Sequence, residues 1–148
     1  MAYVDMARSH VKELVRQGMD LTDLVEDCDG DLPFRRGTAA YFISTRMDGV
    51  KLRVWSRAVG DIKPTVAVLR EVNAANVGLE IARVIVRGGD VFVEGILPID
   101  PCSAEQLAEL CLEVGLVADE LGSMIAAVHG GSTWFSDDDN ACQCGADG

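Results

Sequence analysis

With 148 residues, 49% of them hydrophobic and only 5% aromatic, the chain has material for one core built from aliphatic side chains, too apolar for a disordered segment. No apolar run approaches the ~20 residues that span a bilayer, and Met1 to Asp20 interleaves charged and apolar residues where a signal peptide needs an apolar core. The net charge of −11 repels phosphate backbones and anionic surfaces on average, so neither nucleic acid nor membrane is an expected partner, and a cytoplasmic location is.

The first element expected is an amphipathic helix over residues 4–18. Val4, Ala7, Val11, Leu14 and Gly18 recur at helical spacing, Arg8, Lys12, Glu13 and Arg16 turn outward, and Gly18 reads as a stop. Residues 20–31 then carry six acids and no base. Asp27, Asp29 and Asp31 alternate around Gly30 like a calcium loop, but Thr38 stands where such a loop needs a bidentate Glu. Three strands follow: a short one at 32–36, weakened by Pro33, then 38–46 and 50–59. Asp48-Gly49 suits a type I′ hairpin between the last two. In the third strand Val50, Leu52 and Val54 share one face, and Lys51, Arg53, Trp55 and Arg57 share the other.

Pro64 fits the first turn of a short helix carrying Val66, Leu69 and Val72, with Asn76-Val77-Gly78 ending it. A second hairpin, 79–87 with 90–97, closes through Gly88-Gly89, and Arg83 and Arg87 alternate with Val84 and Val86. After Pro98 and Pro101, Ser103 with Gln106 forms a capping-box pattern. The longest helix follows: Leu107, Leu110, Val114, Val117, Leu121, Met124 and Val128 keep a 3-4 spacing. Cys111, Ala118 and Ile125 widen that stripe into one that packs on a sheet. Gly130-Gly131 ends the helix, so the domain expected is 1–131, with 132–148 a disordered acidic tail. Helix, three strands, helix, two strands, helix makes an α+β fold on a mainly antiparallel five-stranded sheet.

This order resembles the YbjN family of bacterial proteins, related in fold to the type III secretion chaperones. The resemblance rests on Asp29-Gly30-Asp31-Leu32-Pro33-Phe34-Arg35, on Val54-Trp55-Ser56, on the Asn73 and Asn76 pair and on the long helix after Leu97-Pro98. It covers about residues 3 to 129, and the opening segment looks most like the actinobacterial branch. It implies a dimeric fold, a role in recognising peptides or protein partners, and no reaction. Family members have also been proposed as sensory or stress regulators.

The residues offer little chemistry of their own. His10 and His129 lack triad partners, Gly88-Gly89 lacks the following helix of a phosphate loop, and no acidic pair stands out as acid and base. Five cysteines lack framework spacing; Cys142-Gln143-Cys144 could chelate a soft metal or form a disulfide, but an incidental tail motif is the plainer reading. No catalytic residue, metal or other cofactor is therefore expected. What remains is Trp55 among Arg53, Arg57, Arg83 and Arg87, a basic aromatic sheet face. Such a face can stack RNA bases, though the usual RNA signature is absent; it can also be a solvated face with Trp55 covered by arginine stems.

Charge is unevenly spread along the chain. All 13 Lys and Arg lie at or before Arg87, where 12 acids leave +1, whereas Gly88 onward holds 12 acids and neither Lys nor Arg. Glu105, Glu109, Glu113, Asp119 and Glu120 on the last helix could therefore meet the arginine face of a second subunit or a client. The function expected is a non-catalytic, chaperone-like peptide- or protein-binding homodimer anchored by Trp55 and these arginines. The alternative is a sensory or stress-regulatory domain answering a small ligand, a metal or redox state through the tail cysteines.

Overall fold

The computed structural model describes residues 2–46 and 48–136. Its elements are α1 (Ala2–Met19), β1 (Leu32–Arg36), β2 (Ala39–Thr45), β3 (Lys51–Val59), α2 (Val66–Val77), β4 (Arg83–Arg87), β5 (Asp90–Pro98) and α3 (Ala104–His129). The strands form one antiparallel sheet in the order β1-β2-β3-β5-β4. The α+β reading and the order of elements hold throughout.

The widened stripe of the last helix lies on this sheet. Leu107, Leu110, Cys111, Val114, Ala118, Leu121 and Ile125 are buried against Tyr41, Ile43, Leu52, Val54, Val91 and Val93. Ala7, Val11, Leu14 and Val15 of α1 join the same core, while Val68 and Val72 seat α2 beside β4. All three helices occupy one face. Among the described residues no helix is long and apolar enough to cross a membrane.

Local signals set most boundaries. Ser103 accepts from the Gln106 amide at 3.1 Å, and Gln106 Oε1 accepts from the Ser103 amide at 2.9 Å, completing the expected capping box. At α2 the cap is Thr65, whose Oγ1 accepts from the Val68 amide at 3.3 Å, so Pro64 precedes the cap instead of opening the helix. The chain runs helically through Gly18 and turns at Asp20, where φ is 53°. The β2–β3 hairpin has a longer loop than a type I′ turn: Arg46 donates its N–H to Lys51 O at 3.0 Å, and Asp48 Oδ1 takes the Val50 amide at 2.9 Å. Gly88, with φ of 63°, gives the β4–β5 hairpin its two-residue turn between Arg87 and Asp90.

A carboxylate that captures backbone amides shapes two segments, and at one of them the outcome differs from expectation. Residues 79–82 do not extend β4, because the amides of Glu80, Ile81 and Ala82 all donate to Glu113 of α3, at 2.9, 3.0 and 2.7 Å. Burial pushes the Glu113 carboxyl up, yet the three amides more than offset it and hold it below its ordinary range. In the acidic loop, Asp27 Oδ1 accepts from the Asp29 and Asp31 amides at 2.9 Å each, an Asx turn in place of a calcium loop. No cluster of three His, Cys, Asp or Glu among the described residues could hold a metal ion.

Candidate functional site

Among the described residues, no helix lies on the sheet's second face. Alternation along β3 sends Leu52, Val54, Ser56 and Ala58 inward and Arg53, Trp55 and Arg57 outward, as the sequence reading required. The register places Phe42 of β2 and Glu94 of β5 on either side of Trp55. Trp55 stacks on Phe42 with ring centroids 4.8 Å apart and an interplanar angle of 27°. Its Nε1–H donates to Ser44 Oγ at 3.0 Å, and burial raises the nearby Asp31 carboxyl above its ordinary range, with the Ser44 hydroxyl opposing that rise. The Arg53 guanidinium lies 5.0 Å from the centroid of the Trp55 ring. The indole is thus held by its neighbours on three sides while its outer surface stays half-buried.

Glu94 organises the arginines. It is only 4% exposed; Oε1 takes Nε and Nη2 of Arg53 at 3.2 and 2.7 Å, and Oε2 takes Nε and Nη2 of Arg83 at 3.0 and 2.5 Å. Burial pushes its carboxyl up, but the bonds and charges of Arg83 and Arg53 outweigh that and hold it below the usual range. Arg57 donates its Nε–H to Asp90 Oδ1 at 3.0 Å, and its Nη2 lies 3.0 Å from the same oxygen. Arg87 is exposed, its guanidinium 5.9 Å from the Phe92 ring. Beside these residues runs an open groove of about 680 Å³ lined by Ser44, Arg46, Arg53, Arg83, Arg87 and Ile96.

Two of the β3 arginines are thus paired inside the chain, Arg53 with Glu94 and Arg57 with Asp90 of β5. On α3, Glu113 is engaged by backbone amides and Asp119 Oδ1 accepts from both N and Oγ1 of Thr38 at 2.8 Å; Glu105, Glu109 and Glu120 remain exposed.

Residues beyond Gly131 also reach this face. Gly60 and Ser132 exchange two backbone hydrogen bonds at 2.9 Å, and the Phe135 amide donates to Thr38 O at 3.0 Å. Trp134 meets Phe42 edge-on, centroids 5.6 Å apart at 65°. The Arg35 guanidinium sits 4.0 Å over the Phe135 ring. The expected tail thus begins with a segment that packs on the sheet; Cys142 and Cys144 lie outside the described residues.

Residues 5–137 match the family model of the T3SS (YopN, CesT) and YbjN peptide-binding chaperones, type 1. The chain belongs to this family. Solved structures with the same fold include the Yersinia pestis type III secretion chaperone SycH in complex with a fragment of YscM2, at 15% identity and a TM-score of 0.58 over 78% of this chain and 98% of that one. A chain of the HopA1–SchA chaperone–effector complex gives 13%, 0.60, 80% and 97%. YbjN from E. coli gives 11%, 0.56, 77% and 89%. A comparison with curated protein sequences finds no match.

The sheet-face residues named from sequence separate into two groups. Trp55, Arg53 and Arg83 are brought together around Glu94, whereas Arg57 pairs with Asp90 toward the other end of β3 and Arg87 stands near the β4–β5 turn. Sequence reasoning missed Phe42, Glu94 and Trp134. Phe42 stood in plain alternation along its strand, but only the register pairs it with Trp55. The Asn76 of the family-like pair ties α2 to β4, accepting from the Val84 amide at 2.7 Å and donating to its carbonyl at 2.9 Å.

Proposed function

We propose that the helix-free sheet face receives a client polypeptide, with Trp55 and Phe42 as its apolar anchor and Arg53, Arg57, Arg83 and Arg87 as its charged border, in a non-catalytic, chaperone-like homodimer of the cytoplasm. The observation that carries this reading is Trp55, stacked, hydrogen-bonded and partly exposed on the sheet face that no helix covers among the described residues. An indole fixed in this way offers apolar area with little rotamer freedom left to lose, the property that makes tryptophan a binding anchor. A client side chain laid on it displaces water from both rings, and the groove beside Arg83 and Arg87 suits acidic or carbonyl groups of the same segment. The peptide-binding chaperone family supports this reading.

The test is selection of 12-residue peptides on the full chain by display, followed by affinity measurement with Trp55→Ala. Loss of a central aromatic anchor costs about 2 kcal/mol, so a roughly 30-fold weaker Kd is expected with the circular dichroism unchanged. Peptides that bind Trp55→Ala as tightly as the wild type would move the client site elsewhere.

For the homodimer, the support lies on α2. Val66, Leu69, Asn73 and Val77 recur along one side of that helix, and Leu69 and Val77 are 46% and 82% exposed. The stripe of α3 is consumed by its own sheet, so α2 offers the apolar surface that a second copy would cover. Leu69→Glu is expected to halve the mass seen by light scattering, with little change in the salt response of the wild type. A wild type that is already monomeric would refute the homodimer.

A further inference from the structure

We infer that residues 132–135 are an autoinhibitory strap: the chain's own Trp134 occupies the anchor site of the sheet face, and a client must displace it. The inference rests on the reading of that face as the client surface and adds its regulation.

The strap is seated by specific contacts. α3 ends at Gly130, and Gly131 takes a φ of 103° to send the chain around the sheet's end. A Cβ at Gly131 would lie 2.7 Å from Gly60 O and 2.6 Å from Ile62 Cγ2, so the turn is built for glycine. Ser132 then bridges to Gly60 through both backbone groups. Trp134 lands on Phe42, the ring that Trp55 stacks upon, and Phe135 inserts beneath Arg35. Phe42 is only 9% exposed although it sits on the helix-free face. Two tryptophans share the burial of that one ring.

The hold is also shallow. Trp134 is 50% exposed, and the backbone of the strap makes three hydrogen bonds to the sheet's end: two with Gly60 and one with Thr38. Such a segment binds weakly as a free peptide and persists because tethering gives it an effective concentration of about a millimolar. A free-peptide Kd of about 0.1 mM would then leave the face open in roughly one molecule in ten, lowering client affinity by ~10-fold. A client that competes successfully therefore carries an aromatic or other bulky apolar residue to take the place of Trp134.

The probe is a fluorescein-labelled peptide with the sequence of residues 130–139, added in trans to full-length chains and followed by anisotropy. Trp134→Ala, which empties the site, is expected to bind it at least ~10-fold more tightly than the wild type, and adding Trp55→Ala is expected to abolish the gain. Trp134→Phe, which keeps an aromatic cover, stays at the wild-type level. Gly131→Val disrupts the turn without touching the face and reproduces the gain, so the inference does not depend on one variant folding. Equal, Trp55-dependent binding to wild type, Trp134→Ala and Gly131→Val would overturn the strap and leave the client face standing. Absence of binding to the two open variants would also overturn it, and display-selected peptides that still need Trp55 would show that the face itself survives.

Discussion

Gly122→Val is expected to lower the stability of the chain by about 3 kcal/mol, the upper part of the range for overpacking a tight contact. Gly122 lies where α3 crosses β3, and a Cβ there would stand 2.3 Å from the carbonyl oxygen of Ala58 and 2.9 Å from its carbonyl carbon. Backbone cannot rotate away as a side chain can, so helix and strand must part. Parting them opens the layer in which Leu121 and Ile125 lie buried. Urea unfolding checks this: the midpoint falls while the m-value stays near that of the wild type. A midpoint within error of the wild type would mean that α3 and β3 are not in contact at this point.

Glu94→Ala is expected to cost about 2 kcal/mol. Removing one partner of a fully buried pair costs about 3–5 kcal/mol, but Arg53 and Arg83 have side chains 29% and 64% exposed and recover water when the carboxylate is gone. The same residue gives a pH signature. Its carboxyl is held below the ordinary range in the folded chain, so its contribution is complete above the unfolded value of about 4.3 and is lost as pH falls through the lower folded value. Melting temperatures of wild type and Glu94→Gln should thus differ most at neutral pH and converge below about pH 4. Glu113, also held low, leaves a residual acid dependence in the variant. Parallel curves down to pH 3 would show that Glu94 is not the group responsible.

Much of this architecture was readable from the sequence because the informative signals are local. The helical spacing from Leu107 to Ile125 and the two hairpins with glycine in their turns depend on near neighbours, and so does the Ser103–Gln106 cap. The outward set Arg53, Trp55 and Arg57 followed from a period of two along one strand. What escaped depends on contacts distant in sequence. Glu94 sits among the apolar residues of β5, and only the pairing of β5 with β3 and β4 shows that it serves arginines from two other strands. The arginines that suggested attraction between subunits meet Glu94 and Asp90 inside one chain for the same reason, whereas Glu105, Glu109 and Glu120 of α3 stay exposed. Glu113 redirects residues 80–82 from across the molecule, and no local propensity of Leu79 or Ile81 reveals it. Trp134 was read with its polar, acidic surroundings, whose composition outweighs a single Trp-Phe pair.

The strand order β1-β2-β3-β5-β4 has a consequence for how the molecule is made. β3 and β5 are neighbours at the centre of the sheet, yet α2 and β4 intervene between them along the chain. On a ribosome, the first three strands emerge with the third one's outer edge bare, and that edge stays bare until β5 has been synthesised. Because α3 must also arrive before Leu52 and Val54 find their buried partners, the nascent chain has no stable halfway structure to rest in. Folding is therefore held back until nearly the whole sequence is available, a delay that closing the long β3–β5 loop lengthens further.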